Sequence, residues 1–212
     1  MTIFLVNLPS PDQKPIYDMS LSILMDYFTK HKLSFFVLNE NKYDVHPSWL
    51  KLKCFDYIED DFVLCWDMDL LPRRFSDSIE KYLNYNLINL VADSGAPISN
   101  YPYFKYNCGL MGIPKKYRSL LDRVFLQAKT STEPAYEQFP LNKELKERNF
   151  LDIHELNPSW NCIFSLNGIQ KCFNNSTKAI HYTGCSDFER QKYIKTHHTA
   201  YFALLSQAIS SF

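Results

Sequence analysis

Apolar residues along the chain gather into short runs separated by polar stretches of helical period. Three runs come early, IFLVN at 3–7, SFFVLN at 34–39 and FVLCW at 62–66. Each has the length and the aromatic or β-branched content of a strand buried on both faces, as in a parallel sheet. Between the first two, Ile16, Met19, Ile23 and Tyr27 recur at helical spacing behind Pro15, whose fixed φ suits a first helical turn. Strand, helix and strand in that order predict a βαβ unit.

A second helix is predicted from Asp77 to about Tyr85, with Asp77 and Glu80 at capping-box spacing and Ile79 and Leu83 on one face. LINLV at 87–91 reads as a further strand. A loop rich in Gly, Pro, Ser and Asn runs from Asp93 to Pro102 and leads into NCGLMGI at 107–113, the kind of loop that borders a ligand site. Tyr117, Leu120, Leu121, Val124, Phe125 and Ala128 mark an amphipathic helix, and Tyr201, Leu204, Leu205 and Ala208 mark another. Polar and aromatic residues dominate Tyr136 to Trp160, and a late strand is expected around KAIHYTG. The alternation predicts an α/β fold, a three-layer α/β/α sandwich on a mainly parallel central sheet.

With 212 residues, 46% of them hydrophobic, the chain reads as a single domain over 1–212. Twenty-three basic residues balance twenty-three acidic ones, which leaves no global field to recruit nucleic acid or an anionic membrane. Six cysteines without a CxxC pair are expected to be reduced thiols in a reducing compartment. The short apolar run before Asn7 lacks a basic flank and predicts neither a signal peptide nor a membrane span, so a cytoplasmic location is expected. The overlapping sequons at Asn174 and Asn175 then count as coincidence.

The chemistry centres on DFVLCWDMDLLP at 61–72, where Asp67 and Asp69 flank Met68. Residues two apart in a strand share a face, so the carboxylates converge if extended backbone continues past Trp66. Two ionised carboxylates at that spacing call for a cation between them, and oxygen ligands suit Mg²⁺ or Mn²⁺. The carboxyl end of a strand in an open α/β sheet is also where ligands bind. On spacing alone, a solvated turn with two capping Asp residues before Pro72 stays open as the alternative.

An apolar strand ending in Asp-x-Asp, a βαβ opening, then NCGLMGI, YEQFPLN, PSWN and AIHYTG follow one another over about residues 1 to 185. This order resembles the metal-dependent nucleotide-sugar glycosyltransferases of the GT-A fold, a Rossmann-like sandwich. Within them it is most similar to the retaining group that includes glycogenin and bacterial lipopolysaccharide galactosyltransferases. The resemblance implies a nucleotide-binding half over about 1–92 and an acceptor and sugar half over about 93–212. It implies that Asp67 and Asp69 hold Mn²⁺ (or Mg²⁺) with the diphosphate of a UDP-sugar, that Met68 between them belongs to the same donor site, and that His181 completes the protein ligands. It nominates Asn7, Leu8 and Pro9, with Asp12 and Lys14 nearby, for uracil and ribose. Asp93, Asn107 and Gly109 fall beside the donor sugar, Glu137 and Gln138 near the anomeric carbon as catalytic residues with Asp69, and Gly184 in the HYTG segment. Trp160 and Asn161 back the site.

Two departures stand out against that family. Cys108 replaces a small residue, and GCSDFERQK follows His181 where a Lys-Pro-Trp stretch is usual. Cations left to meet a diphosphate are Lys14, Arg73, Arg74, Lys178, Arg190 and Lys192, because the chain has no G-x-G-x-x-G or Walker A loop. His197 and His198 are expected on different faces of a helix, at the surface.

The activity implied is metal-dependent transfer of a hexose or deoxyhexose from a UDP-sugar to a glycan hydroxyl, with retention. The resemblance extends to compact glycosyltransferases of large DNA viruses, in which such a domain stands alone or as one module of a larger polypeptide. A haloacid dehalogenase-type aspartyl phosphatase also uses a strand followed by Asp-x-Asp, but expects Thr or Val where this chain has Leu71. A non-catalytic sugar-binding module, its aromatic residues stacked on pyranose rings, is the reading from a different class.

Overall fold

The computed structural model describes residues 1–93, 105–132 and 136–199. β1 (Thr2–Val6), α1 (Lys14–His31) and β2 (Ser34–Leu38) form the predicted βαβ unit, with the strands parallel and in register from Thr2 opposite Ser34 to Val6 opposite Leu38. Helix α1 starts with Pro15 in its first turn and stops at Lys32, which takes a left-handed φ of 55° and returns its N–H to the carbonyls of Phe28 and Thr29. Its buried stripe is Ile16, Ser20, Ile23, Leu24, Tyr27 and Phe28. Each fully buried aliphatic or aromatic side chain contributes about 1.5–3 kcal/mol, so this stripe, more than helix propensity, fixes α1 on the sheet.

β3 (Phe62–Trp66), β5 (Ile88–Ala92), β6 (Tyr106–Pro114) and β7 (Ile153–Leu156) complete a six-stranded sheet in the order β2-β1-β3-β6-β5-β7. β6 runs antiparallel to both neighbours and the other pairs are parallel. β4 (Leu70–Pro72), β8 (Cys162–Ile163) and β9 (Ala179–His181) make a separate three-stranded sheet, ordered β4-β9-β8. One apolar core packs α1 against Leu64, Trp66, Trp160, Ile180 and Tyr182. A second, on the other face, joins the 3₁₀ segment Pro47–Asp56, α2 (Arg118–Phe125) and α3 (Gln138–Glu147) to Val63, Cys65, Leu90 and Met111. Helices therefore cover both faces of a mainly parallel sheet, the three-layer α/β/α sandwich.

Several expectations change. β2 is an edge strand with alternate residues exposed, so it is not buried on both faces as β3 is. The predicted helix from Asp77 is only a 3₁₀ turn, Ile79–Tyr82. Its capping box does not form, because the Asp77 carboxylate is taken by the Tyr82 hydroxyl at 3.0 Å and the Lys178 ammonium at 3.3 Å. Helix α3 and strand β7 occupy the stretch read only as polar and aromatic. Cys162 and Cys172 form a disulfide instead of remaining reduced, tying β8 to the end of α4 (Phe164–Cys172), while Cys54, Cys65, Cys108 and Cys185 are free. The helix expected at Tyr201, Leu204, Leu205 and Ala208, and the loop from 94 to Pro102, lie outside the described residues. Among the described residues no helix is long and apolar enough to cross a membrane.

Helix α5 (Asp187–His197) carries a full capping box, Ser186 with Glu189. It buries little else than Ile194 along its length, and the two histidines at its end are not surface residues. His197 Nδ1 lies 2.9 Å from the Tyr182 hydroxyl, with its ring against Phe164, Phe173 and Tyr193. His198 is 7% exposed and its Nε2 is buried without a hydrogen-bond partner. Burial pushes both imidazoles down to about 4, helped at His198 by His197 and Arg73. A histidine held neutral in the fold but free to protonate when unfolded stabilises the protein fully above its ordinary value, and the stability drains away as pH falls towards the folded value. His198→Phe should therefore lose less unfolding free energy than the native chain between about pH 6.5 and about 4, by up to about 3 kcal/mol. Urea unfolding at both pH values measures the difference.

Candidate functional site

The carboxylate pair sits where the chain crosses from one sheet to the other. β3 ends at Trp66, the Asp67 N–H donates to the Gly109 carbonyl at 2.8 Å, and Leu70 N–H closes a turn on the Asp67 carbonyl at 3.1 Å. Extended geometry does not persist past Trp66, so the convergence of Asp67 and Asp69 comes from this turn and not from strand alternation. β4 then starts, with Leu70 opposite His181 of β9, and Tyr182 N–H donates to the Asp69 carbonyl at 2.9 Å. The Trp66 indole pins the turn from below through a 2.6 Å bond to the Leu70 carbonyl. Ligand atoms of Asp67, Asp69 and His181 consequently all lie within 4.8 Å of one another.

Behind His181 runs a buried relay whose polarity is set by a backbone donor. Gly109 N–H donates to Asn107 Oδ1 at 2.8 Å, and the same oxygen accepts from Asn161 Nδ2 at 2.7 Å. Asn161 must then turn Oδ1 towards His181 Nδ1, 2.8 Å away, which makes Nδ1 the protonated ring nitrogen. Nε2 is left facing Asp69 Oδ1 at 3.2 Å. Gly109 gives the ring its room: a Cβ there would meet His181 Cε1 at 2.5 Å. Two carboxylates plus an imidazole with its lone pair turned inward are a donor set that fits Mn²⁺ and is less apt for Ca²⁺.

Charge is balanced inside the chain. Lys51, on the Pro47–Asp56 segment and with its side chain 5% exposed, contacts Asp67 Oδ1 at 2.6 Å, Glu137 Oε1 at 2.9 Å and the Cys108 carbonyl at 3.1 Å. Burial alone would favour loss of its proton, but Asp67 and Glu137 outweigh burial and hold the ammonium well above the ordinary lysine range. Burial raises the Glu137 carboxyl, with Lys51 opposing. At Asp69 burial works in the same upward sense, but His181, with Arg190 and Lys51 beyond it, prevails and brings the carboxyl down to about 2. Arg190 reaches Asp69 from α5, 3.6 Å from Oδ2.

These groups line one cleft of about 440 Å³. The end of β1 supplies Val6 and the turn after it Leu8, the start of α1 supplies its N-cap Gln13 and Tyr17, and the far wall holds His46, Ser48, Tyr136 and Gln138. Met68 lines it too, though 5% exposed and packed into the core. Asn107, Gly109, Glu137, Gln138 and His181 are all brought to it. Gln138 accepts from the Cys108 N–H at 3.1 Å and reaches Asp93 at 3.5 Å, which ties the strand-end acid to the same wall. Asn7 stands behind Leu8, bonded to Asn39 and the Leu38 carbonyl. Pro9 is half-buried and Asp12 exposed, neither of them lining the cleft, and Lys14 is exposed and paired with Asp18. Gly184, at φ 73°, faces Ser165. Of the cations, Arg190 lines the cleft, whereas Arg73 binds the Asn174 carbonyl and Lys178 binds Asp77.

Sequence reasoning missed Lys51, Gln13, Tyr17 and His46. The signal for Lys51 is a lysine set between Leu50 and Leu52, which are also buried. The others carry none, because their roles follow from where α1 and the Pro47–Asp56 segment meet the rim.

No protein-family model matches this chain, and no curated protein matches it. Solved structures do. A glycosyltransferase involved in the glycosylation of the major capsid of PBCV-1 is 15% identical, with 92% of this chain and 98% of that one covered at a TM-score of 0.74. The galactosyltransferase LgtC, in complex with donor and acceptor sugar analogues, is 14% identical over 93% of this chain and 96% of its own, at 0.55. The apo form of the glycosyltransferase GlyE of Streptococcus pneumoniae TIGR4 is 12% identical over 95% and 63%, at 0.60. With its mainly parallel sheet and its second small sheet meeting at the carboxylate turn, this chain has the GT-A fold of glycosyltransferases.

Proposed function

We propose that this chain is a metal-dependent glycosyltransferase that moves a hexose or deoxyhexose from a UDP-sugar to a hydroxyl of a glycan acceptor, with retention. The observation that carries the reading is the convergence of Asp67, Asp69 and His181 in one cleft at the strand ends of a GT-A fold. Those three residues would hold Mn²⁺ or Mg²⁺, which when bound supplies a Lewis acid for the charge that builds on a departing diphosphate.

The chain's own residues do the rest. Leu8, Gln13 and Tyr17 form the wall against which the nucleoside end would lie, and Arg190, 3.6 Å from Asp69 Oδ2, would take the place of the lysine absent after His181 as a cation for the diphosphate. Asn107, Gln138 and Glu137 face the sugar end. Gln138 is held by Cys108 N–H and Asp93, so its amide is oriented before a ligand arrives, which reduces the ordering cost of binding. Burial of the acids and the imidazole strengthens each electrostatic contact relative to water. Retention is the stereochemistry carried by the group the sequence resembles.

Asp69→Ala should abolish Mn²⁺-dependent UDP binding in calorimetry, and an unchanged affinity would remove the central support. Asn161→Leu removes the acceptor that fixes the His181 tautomer, so Mn²⁺ affinity should fall by about 10- to 100-fold, and because His181 Nδ1–H is left buried without a partner the melting temperature in chelator should fall as well. Mn²⁺ titration followed by water-proton relaxation reads the first quantity and a thermal melt the second.

A further inference from the structure

Lys51 is used by nothing in the reading above, yet it is the most completely engaged charged group in the cleft. An ammonium has three donors, and all three are committed, to Asp67 Oδ1, Glu137 Oε1 and the Cys108 carbonyl. It therefore has no proton left for a substrate and acts through its partners. One partner, Asp67, is a metal-site carboxylate. The other, Glu137, is 4% exposed, lines the cleft, and leaves Oε2 without a hydrogen-bond partner among the described residues.

We propose that Lys51 is a built-in counter-ion, a positioning residue that stands in for a divalent cation in the metal-free protein and ties Asp67 to Glu137. The proposal rests on the metal reading of the cleft. Without a positive charge between them, Asp67 and a nearly fully buried Glu137 would repel each other and each would lose hydration without compensation. Lys51 removes that penalty through Asp67 Oδ1 and leaves Oδ2 unengaged among the described residues, as a metal ligand needs. The same charge opposes an incoming ion, since two cations then share one carboxylate. Lys51 thus stabilises the empty cleft at some cost in metal affinity. A purely structural lysine would act in the opposite sense, because its loss would disorder Asp67 and weaken metal binding.

Thermal melts of the native chain, Lys51→Met and the double variant Lys51→Met with Glu137→Gln, each in chelator and in saturating Mn²⁺ at neutral pH, separate the two. In chelator Lys51→Met should melt below the native chain, and its gain on adding Mn²⁺ should be about twice the native gain or more, as expected when a ligand is bound more tightly by the folded state. The double variant, which discards the buried charge along with its partner, should recover at least about half of the loss in chelator. A Mn²⁺ gain in Lys51→Met no larger than the native one overturns the proposal, as does a double variant no more stable than the single one. If Lys51→Met alone does not fold, recovery of a folded protein in the double variant supports the bridge, and failure of both overturns it. Absence of any Mn²⁺ gain in the native chain, with rescue by Glu137→Gln intact, would sink the metal reading and still support Lys51 as the bridge.

Discussion

Repulsion between like charges is the constraint to which the rest of this structure answers. Three carboxylates, from Asp67, Asp69 and Glu137, meet at one cleft, two of them beyond the end of a fully buried strand. Each is matched by a partner from a different part of the chain: the Lys51 ammonium from the 3₁₀ segment for Asp67 and Glu137, and the Arg190 guanidinium from α5 with the His181 ring from β9 for Asp69. Those partners arrive only if the second sheet, α5 and the Pro47–Asp56 segment all dock in place. The tertiary structure and the electrostatics of the cleft are therefore one problem, solved once.

The second sheet is short, but it does what the large sheet cannot. A parallel strand delivers its chain end outward and then must turn away from the sheet. Handing the chain to β4 within one turn keeps Asp69 beside Asp67, and pairing β4 with β9 brings His181 to the same point. The disulfide between Cys162 and Cys172 closes the far side of that sheet, next in sequence to Asn161. Anchoring β8 there limits the freedom of the residue that orients the imidazole.

Sequence made the frame legible where periodicity was strong and local. The βαβ opening, β3, β5 and the amphipathic α2 were all readable from spacing, because each buries a continuous stripe or run. Asp67 and Asp69 were readable from composition, and His181, Asn107 and Asn161 only through the order of motifs they share with a known family. What escaped was decided by three-dimensional proximity. Lys51 and Lys53 alternate in the same segment, each between buried apolar neighbours, but the first is buried against Asp67 and the second meets Asp122, and the apolar flanks they share do not say which one turns inward. Helix α3 hid behind Pro140, which is tolerated because it falls in the first turn. His197 and His198 sit between Lys195, Thr196 and Thr199, a polar context that masks the aromatic box awaiting them on α4 and β9.

The reversed direction of β6 in the main sheet has an effect on how the cleft is supplied. Parallel strands bring their closing residues to the rim, whereas β6 brings its opening ones, Asn107, Cys108 and Gly109, while its other end at Pro114 pairs with Phe62 at the opposite edge of the molecule. The rim thus reads the chain in two directions. A side-chain exchange at the start of β6 therefore falls on the cleft wall beside His181, whereas one at its far end falls on the remote edge and leaves the acids and imidazole untouched.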